Sequence, residues 1–381
     1  MSERKKIRLG MIGGGLTSFI GIVHRIASYI GEDYTLVGGA FDTDHNNALK
    51  FANKLELDPT RAYPNIDTFI EKELELPADQ RIEAVVVVTP NFLHYSMAKQ
   101  LIQAGFHVIC EKPVTNTAAE AVELEELVKK HQVVFMLTHT YTGYPMVRQM
   151  KSMIADGVIG DIQKVDAQYY QGWINPVIHD KEKRKSVWRL DPAKAGQSCC
   201  MGDIGVHAFN MVEYTTGLKT VKVLADLNTL YEDNPLDIDG TSLLRFENNV
   251  RGLVRASQIA TAEENSLRIS VYGTKGSLKW EQEDSNYLYH LQEDQPVHVL
   301  KPGHVYASEL AAESTNMAPG HPEGIFESMA NLYSGAAKAI RGEDYIEGAF
   351  PTIRDGVRGM KFIEAVLASD KNGNSWTEIE D

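Results

Sequence analysis

The chain has 381 residues, 43% hydrophobic and 24% charged, with a formal net charge of −14. This length predicts two cores, and the balance of residues argues against a disordered chain. The acidic surplus argues against a nucleic-acid partner and an acidic membrane surface, both of which select clustered Lys and Arg.

The three cysteines, Cys110, Cys199 and Cys200, are spaced neither as a zinc pair nor as a disulfide framework, which predicts a reducing cytoplasm. The opening MSERKKIRLG leads into a strand without the apolar core of a signal peptide, and no window holds the roughly 18 apolar residues of a spanning helix.

From Ile7 to Thr138, β-rich runs at Ile7–Ile12, Thr35–Phe41, Ala84–Thr89, His107–Cys110 and Val133–Thr138 alternate with amphipathic helical segments such as HYSMAKQLIQAG. The uninterrupted apolar runs Val85–Val88 and Val133–Leu137 suit strands covered on both faces, so residues 1–140 read as a doubly wound α/β Rossmann domain. Residues 141–381 read as an α+β domain on a largely antiparallel open sheet, with a C-terminal helix available to pack back on the first domain.

The elements of this second domain are a helix at Pro145–Ala155, then strands at Ile162–Tyr170, Val221–Leu230, Thr241–Phe246, Gly252–Ile259, Leu267–Tyr272 and Ser277–Gln282. Turns at Asn248-Asn249 and Gly273–Gly276 predict hairpins, and helices return at Glu323–Arg341 and Thr352–Ser369. Trp173–Ala195 reads as the longest irregular loop, and its run Lys181–Lys185 as a solvated stretch or a contact for an anionic sugar.

In the turn MIGGGLTSFIG, Gly13 and Gly15 form a G-x-G and Ser18 stands where a third small residue belongs, with Leu16 and Thr17 between them. Such a turn lets backbone N–H groups and a helix N-terminus approach a pyrophosphate, although alone it is equally a plain strand-to-helix turn. Asp42, 27 positions past Gly15, ends the second strand, where an acid accepts both ribose hydroxyls and repels a 2′-phosphate, so NAD is expected over NADP. Asp44 is close enough to take that role instead. Thr89, Pro90, Asn91, His94, Glu111 and Lys112 fall just past strands three and four, the edge at which open parallel sheets bind ligands.

The G-x-G turn, T-P-N-x-x-H, E-K-P and GDIGVHAFN together resemble the Gfo/Idh/MocA oxidoreductase family, named for glucose–fructose oxidoreductase and inositol dehydrogenase, over essentially the whole chain. The resemblance implies that Lys112 sits beside the nicotinamide and the reacting hydroxyl, and that Asp203 and His207 approach that hydroxyl from the second domain. Removing hydride from a carbinol carbon requires a base for the hydroxyl proton, which Lys or His provides. Asp203 and His207 are four apart and on a helix share a face.

Taken singly, Asp203 also reads as a helix N-cap, His207 as a core histidine and Lys112 as a turn lysine. The Asp/His pair lacks companions at ligand spacing, so no metal is expected. His139 departs from the family, many members of which have Asn after the fifth strand.

Aromatics beside amides and charges suit a sugar, and they single out Tyr141, Tyr144, Gln171, Trp173, Arg189 and His321 as substrate contacts alongside Asp203 and His207. Pro322 and Glu323 also read as ordinary first-turn residues of the helix that follows His321. The expected activity is NAD-dependent oxidation of a secondary hydroxyl of a sugar, cyclitol or glycoside in a cytoplasmic homodimer or homotetramer. Two other readings use the same residues: an NAD-dependent glycoside hydrolase acting by transient oxidation and elimination, and a non-catalytic sugar or dinucleotide sensor.

Overall fold

The computed structural model describes residues 5–380; Met1–Arg4, where the basic N-terminal stretch begins, and Asp381 lie outside the described residues. The chain divides into two compact units. One gathers the described residues of Met1–Thr115 with Ala119–Thr138 and Met329–Gly356; the other gathers Asn116–Ala118, His139–Ser328 and the described residues of Val357–Asp381.

In the first unit, β1 (Ile7–Gly13), β2 (Tyr34–Ala40), β3 (Ala84–Val88), β4 (His107–Cys110) and β5 (Phe135–Leu137) form a parallel sheet in the order β2-β1-β3-β4-β5. β3 is buried along its whole length, as its all-apolar sequence requires. Helices α1 (Phe19–Ile30), α2 (His45–Lys54), α3 (Ile66–Glu75), α4 (Asn91–Gln103) and α5 (Ala118–His131) connect or follow the strands. The strand order reverses between β1 and β3, so the glycine turn lies at the switch point, at the C-terminal end of β1.

Two buried polar ties brace this unit. Glu73, fully buried on α3, accepts hydrogen bonds from Arg61, from the Tyr63 hydroxyl and from the backbone N–H of Ile82. Tyr333, in the Met329–Gly356 segment, meets His24 Nδ1 at 2.7 Å, and its own carbonyl accepts from the Tyr34 hydroxyl at 3.0 Å.

The second unit holds α6 (Pro145–Ala155), β6 (Ile162–Tyr170), α7 (Val206–Thr216), β7 (Thr220–Asn228), β8 (Asp239–Phe246), β9 (Arg251–Ser257), β10 (Ser266–Gly273), β11 (Ser277–Glu281), β12 (Leu288–Leu291) and β13 (His298–Leu300). Of the later helices, α8 (Ile325–Ile340) falls mostly in the first unit's Met329–Gly356 segment, and α9 (Ile353–Lys371) falls mostly in the second unit, which ends in β14 (Thr377–Glu378). Nine strands pair in the order β13-β12-β11-β10-β6-β9-β8-β7-β14.

Both expected hairpins form, β8–β9 through Asn249 and β10–β11 closed by Gly273 N–H donating to the Gly276 carbonyl at 2.8 Å. Val165, Ala167 and Tyr169 alternate onto the buried face of β6, while Leu243 and Tyr272 are exposed on the opposite face of the sheet.

The sheet is largely antiparallel, as expected, with the single parallel pair β6–β9, and β12, β13 and β14 extend it beyond the strands read from sequence. Three other expectations need correction. Trp173–Ala195 is not irregular but a series of short helical turns at Asn175–Ile178, Lys181–Arg184, Trp188–Leu190 and Pro192–Ala195. Ile174, Ile178, Leu190 and Ala195 bury with Cys199, Leu236 and Ile238 in an apolar cluster that holds these turns down.

The Lys181–Lys185 run is not simply solvated, since Arg184 is buried and donates to the Ile178 carbonyl and to Asp233, which also pairs with Lys181. Lastly, α8 begins at Ile325, so Glu323 precedes it and is no first-turn residue; its buried carboxylate instead accepts from the backbone N–H groups of Asn316 and Met317.

Candidate active site

The glycine turn of the first unit is shaped for close approach. Gly13 and Gly14 have φ of +78° and +69°, and a side chain at Gly13 would collide with the Val88 carbonyl. A Cβ at Gly15 would lie 2.7 Å from the Phe41 carbonyl oxygen and 3.7 Å from Asp42 Oδ2, so the turn and the acid after β2 face each other. Leu16 and Thr17 are exposed at its tip. Ser18 caps α1 by accepting from Gly21 N–H at 3.1 Å. The close packing of α1 on the turn falls to Gly21, where a Cβ would lie 2.5 Å from the Gly14 carbonyl oxygen.

The two acids after β2 have different duties. Asp44 is the N-cap of α2, accepting from Asn46 N–H at 2.9 Å, whereas Asp42 accepts from Asp44 N–H through Oδ1 and turns Oδ2 toward Gly15. The Thr89 hydroxyl is buried with no hydrogen-bond partner among the described residues, and its methyl group would lie 3.2 Å from a Cβ on Gly13. A backbone cradle with an acid on one side and an orphaned hydroxyl on the other fits a dinucleotide.

Pro90 and Asn91 complete the turn into α4, and Pro90 is exposed. His94 is 1% exposed, with Nδ1 at 2.7 Å from the Pro113 carbonyl and Nε2 at 2.9 Å from the Thr89 carbonyl. Its ring thus ties the turn after β3 to the loop after β4 rather than projecting to a ligand. Burial holds the imidazole below its ordinary pKa, against the two carbonyl contacts and Glu111.

Glu111 accepts from Thr138 Oγ1 at 2.6 Å and meets His24 Nε2 at 3.0 Å, while its other oxygen lies 3.3 Å from Lys112 N. Burial works against its charge, but the bonds from His24 and Thr138 and the Lys112 charge hold it below the ordinary value. The backbone of Lys112 therefore stands on a carboxylate braced from α1 and from the end of β5.

A polar cluster fills the second unit. The phenol oxygens of Tyr141 and Tyr169 lie 2.5 Å apart, Tyr169 donates to Asn265 Oδ1, and Gln171 Nε2 donates to the same oxygen at 2.9 Å. Burial, with Tyr141 and Asp203 nearby, pushes the Tyr169 phenol well up. The Tyr141 ring stands edge-on to His207 at 4.9 Å, and His139 Nδ1 lies 3.2 Å from His207 Nδ1.

Asp203 and His207 do not sit on one uniform α-helix. Met201–Gly205 is a π turn leading into α7, the kind of widened turn that often marks functional sites. Nor is Asp203 an N-cap; the buried Asp237 carboxylate holds the start of the segment, accepting from the backbone N–H groups of Cys199 and Met201. Asp203 Oδ2 accepts from Gln258 Nε2 at 3.1 Å and pairs with Arg189 Nε at 3.2 Å, and the Arg189 guanidinium lies over Trp188 at 4.4 Å and Trp173 at 5.7 Å.

Tyr144, 2% exposed, stacks on the Tyr141 ring at 6.5 Å and packs on Trp280, whereas the exposed His321 turns its Nδ1 to the Ala318 carbonyl three residues back. Tyr169, Asn265 and Gln258 join the site only in the folded chain. Alternation along β6, which buries Tyr169, is the one sequence signal for it; Asn265 and Gln258 stand in no motif. Among the described residues no group of three or more His, Cys, Asp or Glu side chains could hold a metal ion, and no helix is long and apolar enough to cross a membrane.

Comparison with known proteins places these residues in a wider set. Residues 7–139 match the model for an oxidoreductase family with an NAD-binding Rossmann fold, and residues 147–279 match the GFO/IDH/MocA C-terminal domain. The chain is 32% identical over 385 residues to the uncharacterized oxidoreductase YfiI of Bacillus subtilis (strain 168), covering 99% of this chain and 98% of that protein.

It is 25% identical over 409 residues to levoglucosan dehydrogenase of Pseudarthrobacter phenanthrenivorans, covering 98% of each. The crystal structure of an inositol dehydrogenase homolog from Azotobacter vinelandii complexed with NADH and myo-inositol matches with a TM-score of 0.89 and 32% identity, over 98% of each chain.

Proposed function

The chain belongs to the Gfo/Idh/MocA family of NAD-binding oxidoreductases, and from that premise we propose that it oxidises a secondary hydroxyl of a cyclitol or sugar, with Lys112 and His207 as its proton-transfer residues. The observation that carries the substrate class is the second unit's cluster of Tyr141, Tyr169, Gln171 and Asn265 with Asp203 and Arg189, a concentration of donors and acceptors of the kind that recognises neighbouring hydroxyls. The myo-inositol bound by the A. vinelandii protein and the levoglucosan of the P. phenanthrenivorans enzyme's name support the same class.

The glycine turn would hold the NAD pyrophosphate at the head of α1, with Gly13 and Gly15 letting the backbone of Leu16 and Thr17 approach and Ser18, whose N–H donates to the Gly15 carbonyl, capping the helix, and Asp42 would hold the adenosine ribose, at the expense of NADP. Thr89, Pro90 and Asn91 line the nicotinamide side, and His94 and Glu111 act by fixing the loops that carry Thr89 and Lys112. Bound NAD supplies the hydride acceptor.

The protein must then manage the hydroxyl proton. His207 takes it as a neutral imidazole, and the Lys112 ammonium hydrogen-bonds the oxygen as its bond to carbon shortens. Asp203, fixed between Gln258 and Arg189, orients the sugar, with Trp173 offering a ring face to its C–H groups. We place the chain in the cytoplasm, given its three buried free thiols, and as a homodimer or homotetramer joined through the exposed sheet face of Leu243 and Tyr272.

The test is kinetic. Lys112→Met and His207→Ala are expected to lower kcat at least about 100-fold while NADH affinity by fluorescence titration stays within about threefold of wild type. Unchanged kcat in both variants would remove the catalytic assignment.

A further inference from the structure

His139 and His207 bring two imidazoles together through the same kind of atom. Their Nδ1 atoms lie 3.2 Å apart, the rings meet edge to face at 82°, and they are 1% and 6% exposed. The backbone on either side is fixed: the His139 carbonyl accepts from Thr142 N–H and Thr142 Oγ1, and His207 sits in the first turn of α7 against the Tyr141 ring. A hydrogen bond between two ring nitrogens contains one proton. If both rings carried Nδ1–H the two donors would face each other, so the charge states of the rings are coupled.

Tyr141 and Tyr169 present rings to His207, and the Tyr169 phenol is pushed up by burial, away from neutral pH. Asp203 lies one π turn earlier and is paired with Arg189 and Gln258. On the elements packed against α7, Arg148 of α6 donates to the Thr142 carbonyl and the Ser314 hydroxyl, Lys151 to the Tyr214 carbonyl, and Arg255 of β9 to Asp166.

We propose that His139 is a positioning residue that acts through His207 and receives the proton that His207 draws from the substrate. The proposal rests on the reading of His207 as the base. With His207 Nδ1–H donating to His139 Nδ1, the His207 Nε2 carries the lone pair a base needs. As the substrate O–H bond breaks, its proton bonds to His207 Nε2; the Nδ1–H bond of His207 breaks and the proton bonds to His139 Nδ1, while the hydride leaves the carbon for NAD. His207 ends neutral with its proton on Nε2, and His139 ends as the imidazolium.

Two substitutions separate holding from accepting. His139→Asn keeps a group that can accept the His207 Nδ1–H bond but cannot be protonated, whereas His139→Leu offers neither. The experiment measures kcat/KM against pH for holoenzyme of wild type, both variants and His207→Ala, with myo-inositol and levoglucosan as probes and NADH affinity as the check on folding.

The expected result is that His139→Asn retains at least tenfold more activity than His139→Leu. The acid limb of its profile moves at least half a pH unit downward, because the second imidazole that stabilises the protonated pair is gone. An Asn variant with the wild-type profile, or a Leu variant with wild-type activity, overturns the relay. Wild-type activity in His207→Ala overturns the underlying reading of His207 instead, and the proposal with it.

Discussion

The His24 Nε2 lies 3.0 Å from Glu111 Oε1, joining the helix behind the glycine turn to the residue that precedes Lys112. Thr138 donates to the same oxygen. Glu111→Ala removes the acceptor of both bonds, and kcat/KM is expected to fall at least about tenfold with a lower melting temperature, since buried polar groups left unpaired cost about 1–3 kcal/mol each. Steady-state kinetics beside thermal unfolding check it, and wild-type values for both would contradict it.

The pH dependence of stability follows from two shifted groups in the same unit. Glu111 and His94 are both held below their ordinary values of 4.5 and 6.5, so in each case the unfolded chain binds the proton more readily. The His94 contribution is fully present above pH 6.5 and is lost as pH falls from there through its folded value; that of Glu111 is present above pH 4.5 and is lost as pH falls through its own. Melting temperatures measured downward from pH 7.5 are expected to fall first below pH 6.5. In His94→Gln that first decline should shrink; an identical slope would refute the role given to His94.

Asp42 and Asp44 separate cofactor choice from helix capping. Asp42→Ala is expected to weaken NAD at least about tenfold and to narrow the gap to NADP, since a hydrogen bond to a charged group contributes about 1.5–3 kcal/mol. Asp44→Ala removes the cap of α2 and is expected to cost about 1 kcal/mol of stability without changing cofactor preference. Titrating both variants with each nucleotide decides between the acids, and the reverse pattern would assign the ribose to Asp44.

Glu73 gives a stability prediction far from the chemistry. Its buried carboxylate satisfies Arg61, the Tyr63 hydroxyl and Ile82 N–H together, so Glu73→Ala is expected to destabilise the first unit by about 3–5 kcal/mol. A urea midpoint within error of wild type would contradict the tie.

Much of the fold was legible because its signals are local. The all-apolar β3, the hairpin turns at Asn249 and Gly273–Gly276, and the glycine turn each state their own conformation. The parallel pairing of β6 with β9 was not legible, since turn residues specify neighbours in sequence and carry no information about a strand arriving from elsewhere. The helical turns of 173–195 were hidden for a related reason: they are held by apolar contacts with Leu236 and Ile238, distant in the chain.

In the candidate site, motif residues were visible and their supports were not. His24, Gln258 and Asn265 belong to no recognisable spacing, and the π turn at Met201–Gly205 cannot be read from a four-residue interval. Sequence could not divide Asp42 from Asp44 either; the division follows from which of them caps α2.

The most direct measurement incubates the purified protein with NAD against myo-inositol, other cyclitols, free sugars, levoglucosan and nitrophenyl glycosides, reading NADH absorbance and released nitrophenol in the same well. NADH is expected to accumulate with a free cyclitol or sugar, and to be lost in Lys112→Met. Nitrophenol released only in the presence of NAD, with no NADH accumulating from any substrate, would contradict net oxidation and identify a hydride that is borrowed and returned.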